Sequence, residues 1–418
     1  MENSSSTVKG KRETDEDEAG VLEPSLALYG TAASTFFSDS LLWYFLFPYA
    51  AVLQTGFAEM GFIRSARNLF QNVLQIGWGG LAEKFGKRIF ILTGYFLSSI
   101  TVFALLFFKS PLQLLTLVVL QAIFWSLAFP AWNALLGDYT KTSTRGKVLG
   151  KIMSVSRFSG VGATLLVALI AVWTPGELTA SSFTTPFLLS ATAGIAGGIL
   201  VIFAKERKVE HVSWKMMDVF SPMWDKRFRI FLIVNSVFWF TMAFAWPLFP
   251  YVTVNIVHAT LWQIALISSM SGLVVSFTQP KFGSIADKIG RKPLIVASSV
   301  SFFLFPLLYA FAKHWLHLVA IHALLAFSMS ASSVSATAYI LDSAPIGKRG
   351  TYTGTYNLIF GLSAFLGSLA GGIFADYLSA ANGVEQVIFI GLVTSAMLRL
   401  ITSVGFLAIK ETFPKEKS

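Results

Sequence analysis

Two charged residues, Asp39 and Arg157, lie deep within apolar segments of this chain of 418 residues. An ionisable group near the middle of a bilayer is costly, and such groups usually mark a substrate, ion or proton site. Each follows the predicted start of its helix by roughly ten residues, which gives both a depth of about 15 Å. Asp39 is therefore a candidate proton or cationic-substrate site, with Arg157 as its partner or as an anion site. A static structural ion pair is the alternative.

Amide, aromatic and imidazole side chains in other apolar segments extend this candidate set. They suit a solute that has both apolar and polar parts, although each is also a common helix-packing residue. His322 can titrate near neutral pH, and a neutral, hydrogen-bonded histidine near the outer surface is its structural alternative. The remaining binding candidates are Trp125, Asn133, Asn235, Trp239, Tyr339 and Asn357.

Transmembrane helices must position these side chains. The sequence is 54% hydrophobic and only 13% charged, whereas a soluble protein of this size carries about 25% charged residues. Apolar runs of roughly 20 residues, the length that crosses a hydrocarbon core of about 30 Å, recur along the chain. Lipid offers no partner for open backbone groups, so each run has to be helical. The pattern predicts an all-α polytopic membrane protein with twelve transmembrane helices.

The net charge of +10 follows from the predicted topology. Lys and Arg cluster in alternate connections, and the positive-inside rule places these connections in the cytoplasm. An even number of spans puts both termini there too, and the cell membrane is the expected location. Nucleic acid is not an expected partner. The basic connections are 82–87, 137–151, 205–229, 285–292 and 342–349, whereas the opposite ones hold only Arg64, Arg67, Lys109 and Lys313.

The sequence repeats itself at an offset of 204 residues. The segment GGLAEKFGKR at 79–88 matches GSIADKIGRK at 283–292, and the same offset pairs Asp138 with Asp342. Six helices separate equivalent points, so the two repeats share one orientation. The predicted units are a disordered cytoplasmic tail (1–28), two six-helix halves (29–205 and 227–410), a cytoplasmic linker (206–226) and a second tail (411–418).

The segments 79–88 and 283–292 resemble the signature Gly-x-Leu-Ala-Asp-Arg-x-Gly-Arg-Arg of the major facilitator superfamily. The resemblance extends to the Asp and Arg-Gly positions around helices 4 and 10 and covers residues 30–410. It implies parallel repeats related by an axis normal to the membrane. It also implies a peripheral helix 12, so that Arg399 is interpreted as a packing or snorkelling residue.

The resemblance further implies cytoplasmic latches between the two halves. An acid at the end of one helix can face the positive N-terminus of another. Glu83, where the family usually has Asp, would contact the start of helix 11, and Asp287 would contact the start of helix 5. Topology-setting charge without a gating role is the alternative. The candidate gate residues are Gly79, Glu83, Gly86, Arg88, Asp138, Arg145, Gly283, Asp287, Gly290, Arg291, Asp342 and Arg349.

Several function classes lack support in the sequence. There is no cysteine, so disulfides, thiolate metal sites and cysteine nucleophiles are excluded. No phosphate-binding loop that would use ATP is present. No catalytic constellation is recognisable, and neither an enzyme activity nor a cofactor or resident metal is expected.

The sequence therefore predicts a secondary active transporter that moves a small organic solute by alternating access, as a monomer in the lipid bilayer. Proton coupling stays open, because helix 4 lacks the Arg that many proton-coupled members carry. Export of amphipathic compounds is slightly favoured over uptake of a metabolite or sugar by a permease or uniporter. A non-transporting receptor with the same fold is a further alternative.

Overall fold

The computed structural model describes residues 22–140, 145–173, 176–207, 216–345 and 348–412. Apart from short 3₁₀ segments and loops, these residues form helices, as the sequence predicts. The first half contains α1 to α6, each in one continuous stretch. They are α1 (Leu26–Val52), α2 (Phe57–Phe85), α3 (Lys87–Ala104), α4 (Pro111–Asp138), α5 (Arg145–Val172) and α6 (Thr184–Leu200).

The second half repeats this order with two interrupted helices. Helix α7 (Lys226–Phe244) resumes as Phe249–Tyr251 and a π-helical turn, Val252–Ile256, while α9 consists of Arg291–Ser301 and Leu304–Ala310. The remaining helices are α8 (Leu261–Ile289), α10 (Trp315–Ser343), α11 (Arg349–Ser379) and α12 (Val384–Ser403).

Ten helices of the described ranges, α3 to α12, are long and apolar enough to cross a membrane. The chain is therefore an integral membrane protein. Helices α1 and α2 are similarly long, and α2 carries Arg64 and Arg67 in its first three turns. The prediction that placed these arginines in an outer connection was wrong, because α2 begins at Phe57. For α1 and α2, membrane crossing remains a prediction.

The two halves pack against each other through α2 with α11 and through α5 with α8. Small residues allow the close approach: the Ser368 hydroxyl donates to the Gly61 carbonyl at 2.9 Å, and the hydroxyls of Thr164 and Ser269 lie 2.7 Å apart. Gly372 faces the backbone of Phe57 at the end of the same α2–α11 contact. These contacts join the halves at the end that carries the connections 53–56 and 380–383, the predicted outer face.

At the opposite end, the predicted cytoplasmic face, α2 and α11 lie apart. A side-chain carbon added at Gly80 of α2 or at Gly350 or Gly354 of α11 would meet no atom of a neighbouring element within 4 Å. The halves are thus closed at the predicted outer face and separated at the other.

The glycines of α11 provide a test of the packing within the second half. A Cβ at Gly371 would collide with the Phe244 carbonyl, whereas one at Gly354 would enter open space. We expect Gly371→Ala to destabilise the protein by about 1–3 kcal/mol through overpacking. Gly354→Ala should be neutral or stabilising, because alanine favours a helix by up to about 1 kcal/mol over glycine. Thermal unfolding in detergent measures both, and equal melting temperatures would contradict the packing described.

Candidate functional site

Each half turns sharply between its second and third helix at a glycine with positive φ. Gly86 ends α2 with φ of 106°, and Gly290 ends α8 with φ of 97°. A side chain at either position would be strained, because L-residues rarely adopt this conformation. The glycine spacing in the two matching segments therefore reflects a backbone requirement, and the following helices α3 and α9 start immediately at Lys87 and Arg291.

A glutamate from the end of each half binds the N-terminus that follows this turn. Glu206 accepts a hydrogen bond from the Arg88 amide at 3.0 Å, and Glu411 accepts bonds from the Arg291 and Lys292 amides at 3.0 and 2.9 Å. A carboxylate is stabilising there, because the exposed amides and the helix dipole are positive. Sequence reasoning missed both residues and assigned them to the linker and the tail. The pairs Lys205-Glu206 and Lys410-Glu411, 205 residues apart, were the available signal.

The charged residues of the two loops pair within each half. Lys87 Nζ lies 2.6 Å from Asp138 Oδ1, and Arg291 Nε lies 3.0 Å from Asp342 Oδ2. Asp287, predicted to contact the start of α5, instead accepts a hydrogen bond at 2.7 Å from Arg291 and keeps 69% of its side chain exposed. In this conformation Asp287 is therefore bound within its own half.

The other predicted gate residues have mixed positions. The Arg88 side chain also contacts Glu206, with Nε 3.4 Å from Oε1. Arg349 is exposed at the start of α11. Gly79 and Gly283 face Pro130 and Val334 in ordinary contact. The side chains of Glu83 and Arg145 lie outside the described part of the structure, so the latch between Glu83 and α11 remains a prediction.

A carboxylate also joins the halves at the predicted outer face. Asp376, near the end of α11, accepts hydrogen bonds from the backbone amides of Phe57 and Ala58 at 3.1 and 2.9 Å. It therefore binds the N-terminus of α2 across the interface. Beside it, the Tyr251 hydroxyl of the second half donates to the Thr55 carbonyl of the first. These contacts must break if the outer face is to open.

A cavity of about 290 Å³ lies between the two halves. Side chains of α1 and α2 from the first half and of α7 to α10 and α12 from the second line it. Aromatic groups dominate the lining, and Ser268, Ser271 and Thr253 add hydroxyl groups. A mixed lining of this kind suits a partly apolar organic solute. The aromatic lining residues are Trp43, Tyr44, Phe47, Trp239, Trp246, Phe249, Phe302, Phe305 and Tyr309.

Asp39 does not pair with Arg157, contrary to the first alternative drawn from the sequence. Its carboxylate forms a salt bridge with Arg67 of α2, whose guanidinium also lies over the Trp125 ring at 4.2 Å. The depth estimate considered only α1 and α5 and missed Arg67, because Arg67 was counted with an outer connection. Arg157 instead lines a smaller adjoining cavity of about 160 Å³, which shares Tyr44 and Ser268 with the central one.

Of the other binding candidates, His322 and Trp239 line the central cavity. His322 is held between the Tyr309 hydroxyl, 2.7 Å from Nε2, and the Ser271 hydroxyl, 2.8 Å from Nδ1. Trp239 donates from its indole nitrogen to Tyr356 at 3.2 Å.

The remaining candidates lie away from the lining of the central cavity. Asn235 donates to the Phe231 carbonyl of its own helix at 3.0 Å, and Tyr339 stacks on Phe231. Trp125 packs edge-to-face on Tyr95. Asn133 is exposed and Asn357 is half-buried. Packing is thus the observed role of the buried members of this group.

Two arginines that the sequence did not single out for binding do line the cavity, Arg64 and Arg399. Arg399 is only 1% exposed, so of the two interpretations drawn from sequence, snorkelling was wrong and a buried packing position is what the structure shows. It donates to the carbonyls of Met242 and Phe302 at 2.7 and 3.1 Å. The interruption of α9 beside Phe302 and the end of α7 beside Met242 leave these carbonyls available, which no local sequence pattern predicted.

Two repeated six-helix halves around a shared cavity define a membrane transporter fold with parallel repeats. The family model described as the Major Facilitator Superfamily matches residues 28–245 and 231–418. The chain belongs to the Major Facilitator Superfamily and is a transporter of that family. The family resemblance carried by the two loops is thereby confirmed.

Individual relatives are distant. An uncharacterised transporter of the superfamily from Methanocaldococcus jannaschii is 22% identical over 345 residues, which cover 80% of this chain and 86% of the relative. The multidrug resistance protein MdtG of Escherichia fergusonii is 31% identical over 153 residues, 37% of this chain and 35% of MdtG. A structure of the nucleoside transporter NupG superposes with a TM-score of 0.73 at 14% identity, covering 92% of this chain and 99% of NupG.

Asp376 provides a test of the outer closure. Asp376→Asn removes the charge that binds the α2 amides, and a hydrogen bond to a charged group contributes about 1.5–3 kcal/mol. We expect a shift toward an outward-open state, so that a cysteine placed at Ser268 in the cavity reacts several-fold faster with a membrane-impermeant maleimide from the Thr55 side. The chain has no native cysteine, so the labelling is specific.

Glu385→Gln is the matched control, because Glu385 is an exposed acid at the start of α12 on the same face. Its labelling rate should equal that of the parent protein. Equal rates for Asp376→Asn and the parent would show that Asp376 does not hold the outer face closed.

Proposed function

We propose that the protein is a secondary active transporter that moves a small organic solute across the membrane by alternating access. The observation that carries the proposal is the central cavity, which both halves line and which the α2–α11 contacts close at one end only. A solute bound there would contact both halves at once. Its binding can therefore favour rocking of one half against the other.

The contacts described suggest the cycle. Opening the predicted outer face would release Asp376 from the α2 amides and Tyr251 from Thr55. Closing the cytoplasmic face would bring the exposed Asp287 carboxylate toward the start of α5, as the family resemblance implies. Each state thus exchanges one carboxylate–helix contact for another, which keeps the two states close in free energy.

We favour export of an amphipathic compound over uptake of a metabolite. The aromatic lining supports an amphipathic solute, and the partial relative MdtG is described as a multidrug resistance protein. Uptake of a metabolite or sugar is the second candidate, favoured by the likeness in fold to NupG. A receptor that binds without transporting is a further class. We place the protein in the cell membrane as a monomer with both termini cytoplasmic.

Counterflow in proteoliposomes distinguishes these classes. Purified protein is reconstituted, the vesicles are loaded with one compound of a panel, and entry of its labelled form is measured with and without a pH gradient. Transient accumulation of at least one compound above equilibrium is expected. Binding of a compound without flux would instead identify a receptor.

Asp39 is the proposed proton site, and its salt bridge to Arg67 allows a sharp test. Asp39→Asn leaves Arg67 buried without its partner, which costs about 3–5 kcal/mol when an ion pair is broken in this way. We expect this variant to be less stable and to lose the dependence of transport on a pH gradient.

The double variant Asp39→Asn/Arg67→Gln is the control, because it removes both charges and should recover much of the stability. A proton role predicts that transport by the double variant no longer responds to the pH gradient. Gradient-dependent transport equal to that of the parent protein would assign the pair a purely structural role.

A further inference from the structure

Arg64 of α2 lies at the cavity without an acidic partner. In the described residues its guanidinium makes no hydrogen bond or ion pair, and its Nε is buried and unsatisfied. Its guanidinium lies 3.8 Å from the Phe47 ring centroid and 5.1 Å from that of Trp43. Such cation–π contacts are weak and do not offset the cost of burying an arginine charge in the membrane.

Arg399 of α12 presents a second charge of the same sign from the opposite half. Its two terminal nitrogens bind carbonyls, while its Nε is buried without a partner. Backbone carbonyls satisfy hydrogen bonds but leave the net charge uncompensated. A buried charge that is not neutralised by its own protein is costly, so a mobile anion is the remaining source of compensation.

The groups that face these arginines supply no negative charge. No Asp or Glu lines the central cavity or the adjoining one in the described residues. Asp39 is held by Arg67, and Arg157 in the adjoining cavity likewise makes no ion pair in the described structure. Tyr44, Tyr309 and His322 complete the titratable lining. The cavity is therefore positive, and the cationic solute that a buried acid suggested from sequence loses its basis.

We infer that the central cavity binds the anionic head group of an amphipathic organic solute at Arg64, an inference that rests on the proposed transport function. A carboxylate, sulfonate or phosphonate would compensate the Arg64 charge, and Arg399 would add a second positive charge to the same cavity. The apolar body would lie against the aromatic rings of the lining. Because Arg64 belongs to the first half and most of the lining to the second, a solute bound there would contact both elements that must move against each other.

Calorimetric binding to the purified protein tests the charge preference without requiring transport. The probes are 4-phenylbutyrate and 4-phenylbutylamine, which share an apolar body and differ in the sign of their charge. Charge-assisted hydrogen bonds contribute about 1.5–3 kcal/mol, which corresponds to tenfold or more in affinity. The carboxylate should therefore bind at least about tenfold tighter than the amine.

Variants test which residue causes the preference for the carboxylate over the amine. Arg64→Gln should weaken carboxylate binding about tenfold and leave the amine no weaker. Arg64→Lys, which keeps the charge, should lie between Arg64→Gln and the parent protein. The control Arg229→Gln changes an exposed arginine at the start of α7, and its affinity should stay within about twofold of the parent. Arg399→Gln is measured alongside, with thermal unfolding to confirm that each variant is folded.

Equal or tighter binding of the amine, no carboxylate binding by the folded parent, or full carboxylate affinity in Arg64→Gln would overturn the inference. Loss of the carboxylate preference when chloride replaces gluconate as the buffer anion would assign the site to an inorganic anion and also contradict it. The measurements distinguish failure of the anion site from failure of the proposed transport function. Carboxylate binding without counterflow would keep the anion site and refute transport, whereas counterflow of solutes without preference for anions would do the reverse.

Discussion

This structure depends on one constraint: charge within a membrane is costly. The constraint is visible in how the buried ionic groups are paired. Asp39 is neutralised by Arg67 within the first half, and Lys87 and Arg291 are neutralised by Asp138 and Asp342 near the predicted cytoplasmic face. Buried charges are tolerated when they are paired. Within the described residues, the charges of the cavity depart from this rule, and the departure is what distinguishes a binding site from a scaffold.

The same constraint gives the two faces different roles. At the predicted outer face, the Asp376 carboxylate joins the halves by binding helix amides, beside the packing of α2 on α11. At the other face, Glu206 and Glu411 bind helix N-termini within their own halves. The halves are thereby kept rigid internally while the interface between them depends on few polar contacts. Rigid halves joined by a small number of breakable contacts are what a rocking motion requires.

Much of the architecture could be predicted from sequence, because repeated apolar runs and a 204-residue repeat are long signals. The site could not, for identifiable reasons. Arg64 and Arg67 stand near the predicted start of a helix and were counted with an outer connection, so they were not considered as membrane-embedded charges. Arg399 makes its contacts through backbone carbonyls that become available only where α7 ends and α9 is interrupted. Such partners depend on tertiary packing, which residue spacing does not encode.

The central claim is that the two halves move against each other around the cavity. Spin labels provide the most direct measurement, with one pair at Gly80 and Gly350 on the predicted cytoplasmic face and another at Val172 and Ala381 on the outer face, all exposed positions. With a solute identified by counterflow, the account predicts that the cytoplasmic distance shortens as the outer distance lengthens in the same fraction of molecules. Two distance distributions that stay unchanged while the solute is transported would contradict it.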